Sequence, residues 1–281
     1  MSDEFFNKIL HVKSHAESDM AEINETVGLI VENKGSPVAA ARFLSRKALA
    51  SAIYSWFGMH DLIISKQWFY ISANTLRYSI NINKKRGEIG LGYDQLLAPI
   101  ISDNDDVINW FSHCDELFDE SKIEDPHTAD FFAFQYVLAM RGHWKRLISR
   151  CEKLMADPPI NNLRNYMIDQ VFFLALANGD IESMEEVIAE LVSDQGRKTR
   201  IDDESPFTEN LISTSAVIFS KIAWRNGYEV NVYSPYIPIE WLPVDPLESY
   251  RKKYPFFELK CQWGAGNCHA PDFSGAFSFL G

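Results

Sequence analysis

The chain has 281 residues, 46% hydrophobic and 13% aromatic, which is enough apolar surface to bury a core without staples. Four cysteines are too few for a disulfide scaffold at this length, and no run of about 18 apolar residues predicts a membrane span. The net charge of −12 disfavours direct contact with a nucleic-acid backbone.

Met1-Ser2-Asp3-Glu4-Phe5-Phe6 lacks a basic segment followed by an apolar one, so no secretory leader is expected and the cytoplasm is the default location. Asp3 to about Lys34 reads as one long helix or two, with Met20, Ile23, Val27, Ile30 and Val31 on one face. Ser36-Pro37 is a helix start, serine as N-cap and proline in the first turn. The helix that follows, to about Phe57, is rich in alanine, which lets a neighbouring helix approach closely. Asp61 is expected to cap a further helix to about Ile82. Residues 84–92 hold Gly87, Gly90 and Gly92 and read as a loop or small hairpin. They look like a phosphate loop only superficially, because the Gly-Lys-Ser/Thr ending and a preceding strand are missing.

The segment from about Tyr93 to Ser193 carries one apolar pattern three times at a period of 37 residues. The copies are Val107, Trp110, Cys114, Leu117; Trp144, Leu147, Cys151, Leu154; and Ile181, Met184, Ile188, Leu191. Their spacing of i, i+3, i+7, i+10 makes a single stripe on a helix. Each copy follows a polar turn, at 102–105, 141–143 and 178–180, and the last two turns follow apolar helices at Phe131–Met140 and Met167–Ala177. This pattern predicts stacked antiparallel helix pairs with Trp110, Cys114, Leu147, Cys151, Met184 and Ile188 mostly buried. Cys114 and Cys151 on these stripes read as reduced core cysteines.

Gly196 to Ser205 reads as a polar loop, and Pro206 as the start of a last helix from about Phe207 to Arg225, closed at Asn226-Gly227. Glu229 to Tyr233 alternates like a short strand. Six of the twelve prolines fall between Pro235 and Pro271, among many aromatic residues. An irregular strap packed on the last helices is expected there, followed by a Gly- and Ser-containing tail from Gly264 to Gly281. The fold class expected is all-α, an α-solenoid-like stack of helix pairs with a short irregular C-terminal strap. Residues 1–245 form one helical domain, and residues 246–281 form a partly ordered aromatic and proline-rich extension.

The candidate chemistry is sparse. His11 and His15 stand four apart, but no third metal ligand is placed by the sequence, and Cys261, Cys268 and His269 lack a fourth. Asp105-Asp106 and Asp202-Asp203 are acid pairs of the kind that hold magnesium in some hydrolases, including the helical ADP-ribosyl hydrolases, but the further acids and hydroxyls cannot be assembled. The simpler reading of Asp103 to Asp106 is an acidic turn and helix N-terminus, where carboxylates cap free amides. No Gly-x-Ser-x-Gly elbow is present. No catalytic, cofactor or metal residue is therefore assigned. Charge is uneven: Asp103 to Asp130 holds ten acids and one base, Lys122, or −9, and Asp180 to Glu209 holds ten acids and three bases, or −7. Such a field would steer a basic protein.

Ala223-Trp224-Arg225-Asn226-Gly227-Tyr228-Glu229-Val230-Asn231-Val232, followed by Tyr236-Ile237-Pro238 and Trp241-Leu242-Pro243, resembles the C-terminal signature of the immunity protein 49 family, bacterial antidotes to polymorphic toxins. The upstream order resembles it too: an Ala-rich helix, an aromatic helix, a Gly-containing interruption, then paired helices with a Leu-Ala-x-x-Gly-Asp turn at Leu174 to Asp180. The likeness spans roughly residues 36 to 245, and a neighbouring all-helical antidote family acting on a DNA-degrading toxin stays open. The resemblance implies a cytoplasmic protein that neutralises one cognate toxin by contact, without catalysis. The toxin is expected to be basic and to meet Asp103, Asp105, Asp106, Asp115, Glu116, Asp119 and Glu120. Two rivals remain: a helical-repeat scaffold binding host peptides, and a magnesium-dependent hydrolase reversing a toxin's modification.

Overall fold

A computed structural model describes residues 3–17, 19–83, 93–115, 118–160 and 162–257. The Gly-containing segment 84–92, Glu116, Leu117, Cys261, Cys268, His269 and the tail lie outside the described residues. Among the described residues there are thirteen α-helices and no strand.

The N-terminal stretch is two helices, α1 (Asp3–Ala16) and α2 (Met20–Val31), because Asp19 interposes as an N-cap and accepts from Ala21 N at 2.8 Å. Ser36 caps α3 (Pro37–Phe57), and Asp61 caps α4 (Leu62–Asn83) by accepting from Ile64 N at 2.8 Å. These two helices pack closely on each other, with Ala41, Ala48, Ala50 and Ala52 buried in α3 and Ala73 in α4. Ser45 and Ser72 exchange hydroxyl-to-carbonyl bonds of 2.9 Å across that contact.

The array follows. Its pairs are α5 (Leu97–Ile101) with α6 (Asp105–Ser112), α8 (Ala129–Met140) with α9 (Trp144–Ala156), and α10 (Met167–Asn178) with α11 (Ile181–Val192). The short α7 (Glu120–Glu124) intervenes. The turns fall where the sequence places them, and Gly142 and Gly179 take φ of 66° and 70°, the left-handed conformation that closes a helix. Helices α8 and α10 are buried around most of their circumference and form an inner layer, whereas α9 and α11 bury one stripe each. Cys114, Leu147, Cys151, Met184 and Ile188 are all buried. Burial also pushes the Cys151 thiol up to about 12, far from a reactive thiolate.

Several expectations need correction. Trp110 is half-buried, its ring covered by the Arg77 guanidinium at 5.6 Å. The first copy is truncated: α6 stops at Ser112, whose carbonyl accepts from Arg141 Nε, so Cys114 lies beyond the helix end. Ile181 and Trp144 open their helices, where the side chain projects past the first turn, and neither is fully buried.

Gly196 to Ser205 is not a loop but α12 (Asp194–Thr199) and a 3₁₀ turn at Ile201–Asp203. The last helix, α13 (Thr214–Arg225), starts later than Phe207. There Glu204 accepts from both Thr214 N and Thr214 Oγ1 at 2.7 Å, while Ser205 and Thr208 hold a separate turn upstream.

Glu229 to Tyr233 forms no strand, because Val230 N turns back to Tyr228 O at 3.0 Å and Asn231 N donates to the Glu185 carboxylate at 2.7 Å. The strap reaches farther than the last helices. Trp241 is fully buried against Trp56 and Phe57 of α3 and Phe69 of α4, with ring centroids at 6.3, 6.1 and 5.1 Å. One core cluster runs from Val12 to Phe256, so it includes Tyr254 and Phe256 beyond residue 245.

Candidate functional site

Asp103 is where the fold departs most from an acidic surface. It sits in the turn between α5 and α6 at φ 54°, a conformation aspartate tolerates better than most residues, and is 1% exposed. Three cations converge on it. Lys66 Nζ of α4 donates at 2.9 Å, Lys221 Nζ of α13 lies 2.8 Å from one oxygen and 2.9 Å from the other, and an Arg225 Nη lies at 3.2 Å. The strap completes the cluster. Lys66 donates to Asp245 O at 2.5 Å, and Lys221 to Trp241 O at 2.9 Å and Pro243 O at 2.8 Å. One carboxylate thus ties α4, α13 and the strap together. Burial pulls the Lys221 amine down to about 8, opposed by the Asp103 charge. Asp103 is therefore an internal anchor and not part of an exposed acidic band.

The other acids of that band lie outside and are largely spoken for. Arg225 reaches Asp105 at 2.8 Å, and Arg77 reaches Asp106 at 2.6 Å. Arg141 grips Asp115 through both Nη atoms, one of them at 3.0 Å, and this guanidinium holds the carboxyl below the usual range. Glu124 takes Arg146 at 2.6 Å and Arg150 at 3.5 Å. Asp119 caps α7 through Ser121, and Glu120 is exposed. Among the described residues, seven basic side chains from elsewhere in the chain form ion pairs with acids of this stretch: Lys66, Arg77, Arg141, Arg146, Arg150, Lys221 and Arg225. The −9 counted along the sequence is not the charge the surface presents.

A second polar cluster joins the start of α10 to the α12 region. Arg200 bridges Asp169 and Asp203, the latter at 3.1 Å, and Tyr166 and Ser215 donate to Asp203 at 2.6 and 3.0 Å. Asp169, Arg200 and Asp203 are at most 6% exposed. Burial raises the Asp169 carboxyl to about 6 against the lowering pull of Arg200. Nothing about the Asp202-Asp203 pair marked Asp203 as internal: its cation, Arg200, is only three residues away, but the hydroxyls of Tyr166 and Ser215 that enclose it come from distant segments. His11 and His15 stack edge to face at 4.8 Å beside Phe207 and pack as a ring cluster.

Among the described residues, two surface clefts bear on the site. One, ≈ 200 Å³, lies between α4 and the strap and is lined by Arg77, Tyr78, Asp106, Lys252 and Phe256 among others. The other, ≈ 180 Å³, lies between α9 and α11 with α10 as its floor, lined by Met155, Val171, Leu174, Ala175, Asp180 and Ser183.

The signature residues near the C-terminus gain a physical role. Gly227, at φ 85°, closes α13 and directs Tyr228 onto the α10–α11 turn, where a Cβ on Gly179 would lie 3.1 Å from the Tyr228 hydroxyl. Tyr236 lies beneath the Arg197 guanidinium at 3.8 Å, and its carbonyl accepts from Ser213 N at 2.9 Å. No curated protein and no solved structure matches the chain. A family model described as Immunity protein 49 matches residues 67–241, from α4 through every helix pair of the array to the 3₁₀ turn that buries Trp241. With well over half of its length in that match, the chain belongs to the immunity protein 49 family.

Proposed function

We propose that this chain neutralises one cognate bacterial toxin by direct, stoichiometric protein contact in the cytoplasm, and that the toxin domain is basic. Family membership over residues 67–241 is the observation that carries the reading. The commitment of the buried acids supports it. Asp103 is spent on Lys66, Lys221 and Arg225, and Asp203 on Arg200, Tyr166 and Ser215. Three of the four paired acids that a magnesium-dependent hydrolase would need are held by cations: Asp105 by Arg225, Asp106 by Arg77 and Asp203 by Arg200. The side chains of Asp105, Asp106 and Asp115 are 74%, 78% and 53% exposed, and with Asp119 and Glu120 we assign them to the periphery of the contact, where charges already met by arginines add little to the rate of encounter.

The test is affinity capture from cells that make this chain, with mass spectrometry, followed by expression of the captured protein alone and with the chain. The expected partner is toxic alone and harmless in combination, with inhibition complete at one molar equivalent. Full neutralisation by a small fraction of an equivalent would instead mean turnover, and the enzymatic rival would replace this reading.

A further inference from the structure

We propose that the groove between α9 and α11 is the anchor site for the toxin, seating an apolar side chain of a lysine- or arginine-rich segment. This rests on the toxin-neutralising reading above. The groove is ≈ 180 Å³, room for one aliphatic side chain, and its apolar lining is not closed over: Met155 is 51% and Val171 41% exposed, and the adjoining Ile181 is 42% exposed. Exposed apolar side chains grouped at a concave site mark contact surfaces more often than chance, whereas scattered ones do not.

Charge identifies the occupant. On α11, Ser183 lines the groove, and Glu186 and Glu190 stand three and seven residues on, along the same helical stripe. On α9, Glu152 stands one turn before Met155. All three glutamates are exposed, and none makes an ion pair among the described residues. Asp180 closes one end, its carboxylate also capping α11 through Ser183. The other flank of α9 faces the opposite way, where Arg146 and Arg150 meet Glu124. The other flank of α11 meets the strap, where Glu185 holds Asn231 N. Both groove walls therefore present uncompensated carboxylates beside apolar side chains, whereas the Asp103–Asp130 stretch is met by seven cations from elsewhere in the chain. An aliphatic anchor flanked by ammonium or guanidinium groups fits such a site, and an acidic or neutral segment does not.

The test uses the full chain with methyl-labelled side chains and the peptide acetyl-Lys-Lys-Leu-Lys-Lys-amide, beside a counterpart with Glu in place of Lys. The expected result is saturable shifts centred on the Met155, Val171, Leu174 and Ile181 methyls. The Glu peptide and the Glu186→Lys/Glu190→Lys variant should each bind at least tenfold more weakly, with an unchanged melting temperature. Equal binding of both peptides, or shifts scattered over the surface, would overturn the groove. A second measurement separates this from the functional reading. If the wild-type chain protects cells from its captured toxin and a folded Val171→Lys variant protects equally well, the groove falls and the reading stands. If wild type protects against no captured protein, the reading falls while the peptide titration still decides the groove.

Discussion

Replacing Asp103 by Asn keeps the shape of the side chain and the left-handed turn, since asparagine is equally at home at φ 54°. What it removes is one negative charge facing two ammonium groups whose side chains are 3% and 0% exposed. Breaking a buried pair by removing one partner costs about 3–5 kcal/mol. The retained carbonyl acceptors, Asp245 for Lys66 and both Trp241 and Pro243 for Lys221, place the effect toward the lower end, near 3 kcal/mol. At roughly 2–4 °C per kcal/mol for a chain of this size, the melting temperature should fall by about 6–12 °C. Urea unfolding followed by circular dichroism at pH 7 reads the free energy directly.

Proton linkage adds a second signature. In the folded protein Lys221 releases its proton near 8, below its ordinary value of 10.5, because burial penalises the charged form. Between those values the unfolded chain binds more protons, so the Lys221 contribution to stability rises with pH. Without Asp103 the folded-state value drops further and the rise begins at lower pH. The deficit of the variant should be largest on the acid side of pH 7 and shrink toward pH 8, above which Lys221 is neutral in both folded chains. A deficit under about 1 kcal/mol, or one that is flat over that range, would refute the claim that Asp103 neutralises the buried amines.

Arg200→Met should destabilise by about 3–5 kcal/mol, since it leaves Asp169 and Asp203 buried without their cation, and the loss should shrink as pH falls toward 6, because without the lowering pull of Arg200 the Asp169 carboxyl takes up its proton above its native value of about 6. Denaturant curves at pH 5 and pH 7.5 check both the size and the sign. Trp241→Ala removes a fully buried indole packed on Trp56, Phe57 and Phe69 and should cost about 3–5 kcal/mol. A melting curve close to wild type would show that the strap is a passive cover. Reversing Glu186 and Glu190 to Lys should slow association with the toxin tenfold or more at low salt, whereas reversing Asp105 and Asp106 should slow it less than threefold, because their charges are already met by Arg225 and Arg77. Stopped-flow rates over a salt series decide between the two surfaces.

The repeat was legible because helix pairs store their information locally. A stripe at i, i+3, i+7, i+10 and a glycine or asparagine turn suffice to place α9, α10 and α11 within two residues of their bounds. Caps at Ser36, Asp61 and Asn226-Gly227 are equally local. What failed was decided at a distance. The start of α13 depends on the Glu204 carboxylate ten residues upstream, and the end of α6 on Arg141. The expected strand at Glu229 to Tyr233 found Glu185 and Tyr228 as its partners instead of a neighbouring strand.

Charge shows the same limit more sharply. Summing acids along the chain treats Asp103, 37 residues from Lys66 and 118 from Lys221, as a surface anion, yet the fold places it among three cations in the interior. The Asp180–Glu209 stretch, less acidic by count, keeps Glu186 and Glu190 exposed, and among the described residues neither makes an ion pair. Coulomb attraction between groups a few ångströms apart outweighs the field of a long acidic segment once counter-charges fold back onto it. The density of carboxylates in sequence therefore points to where ion pairs hold this array together, and the carboxylates left uncompensated beside Met155 and Val171 point to where a basic partner gains most by binding.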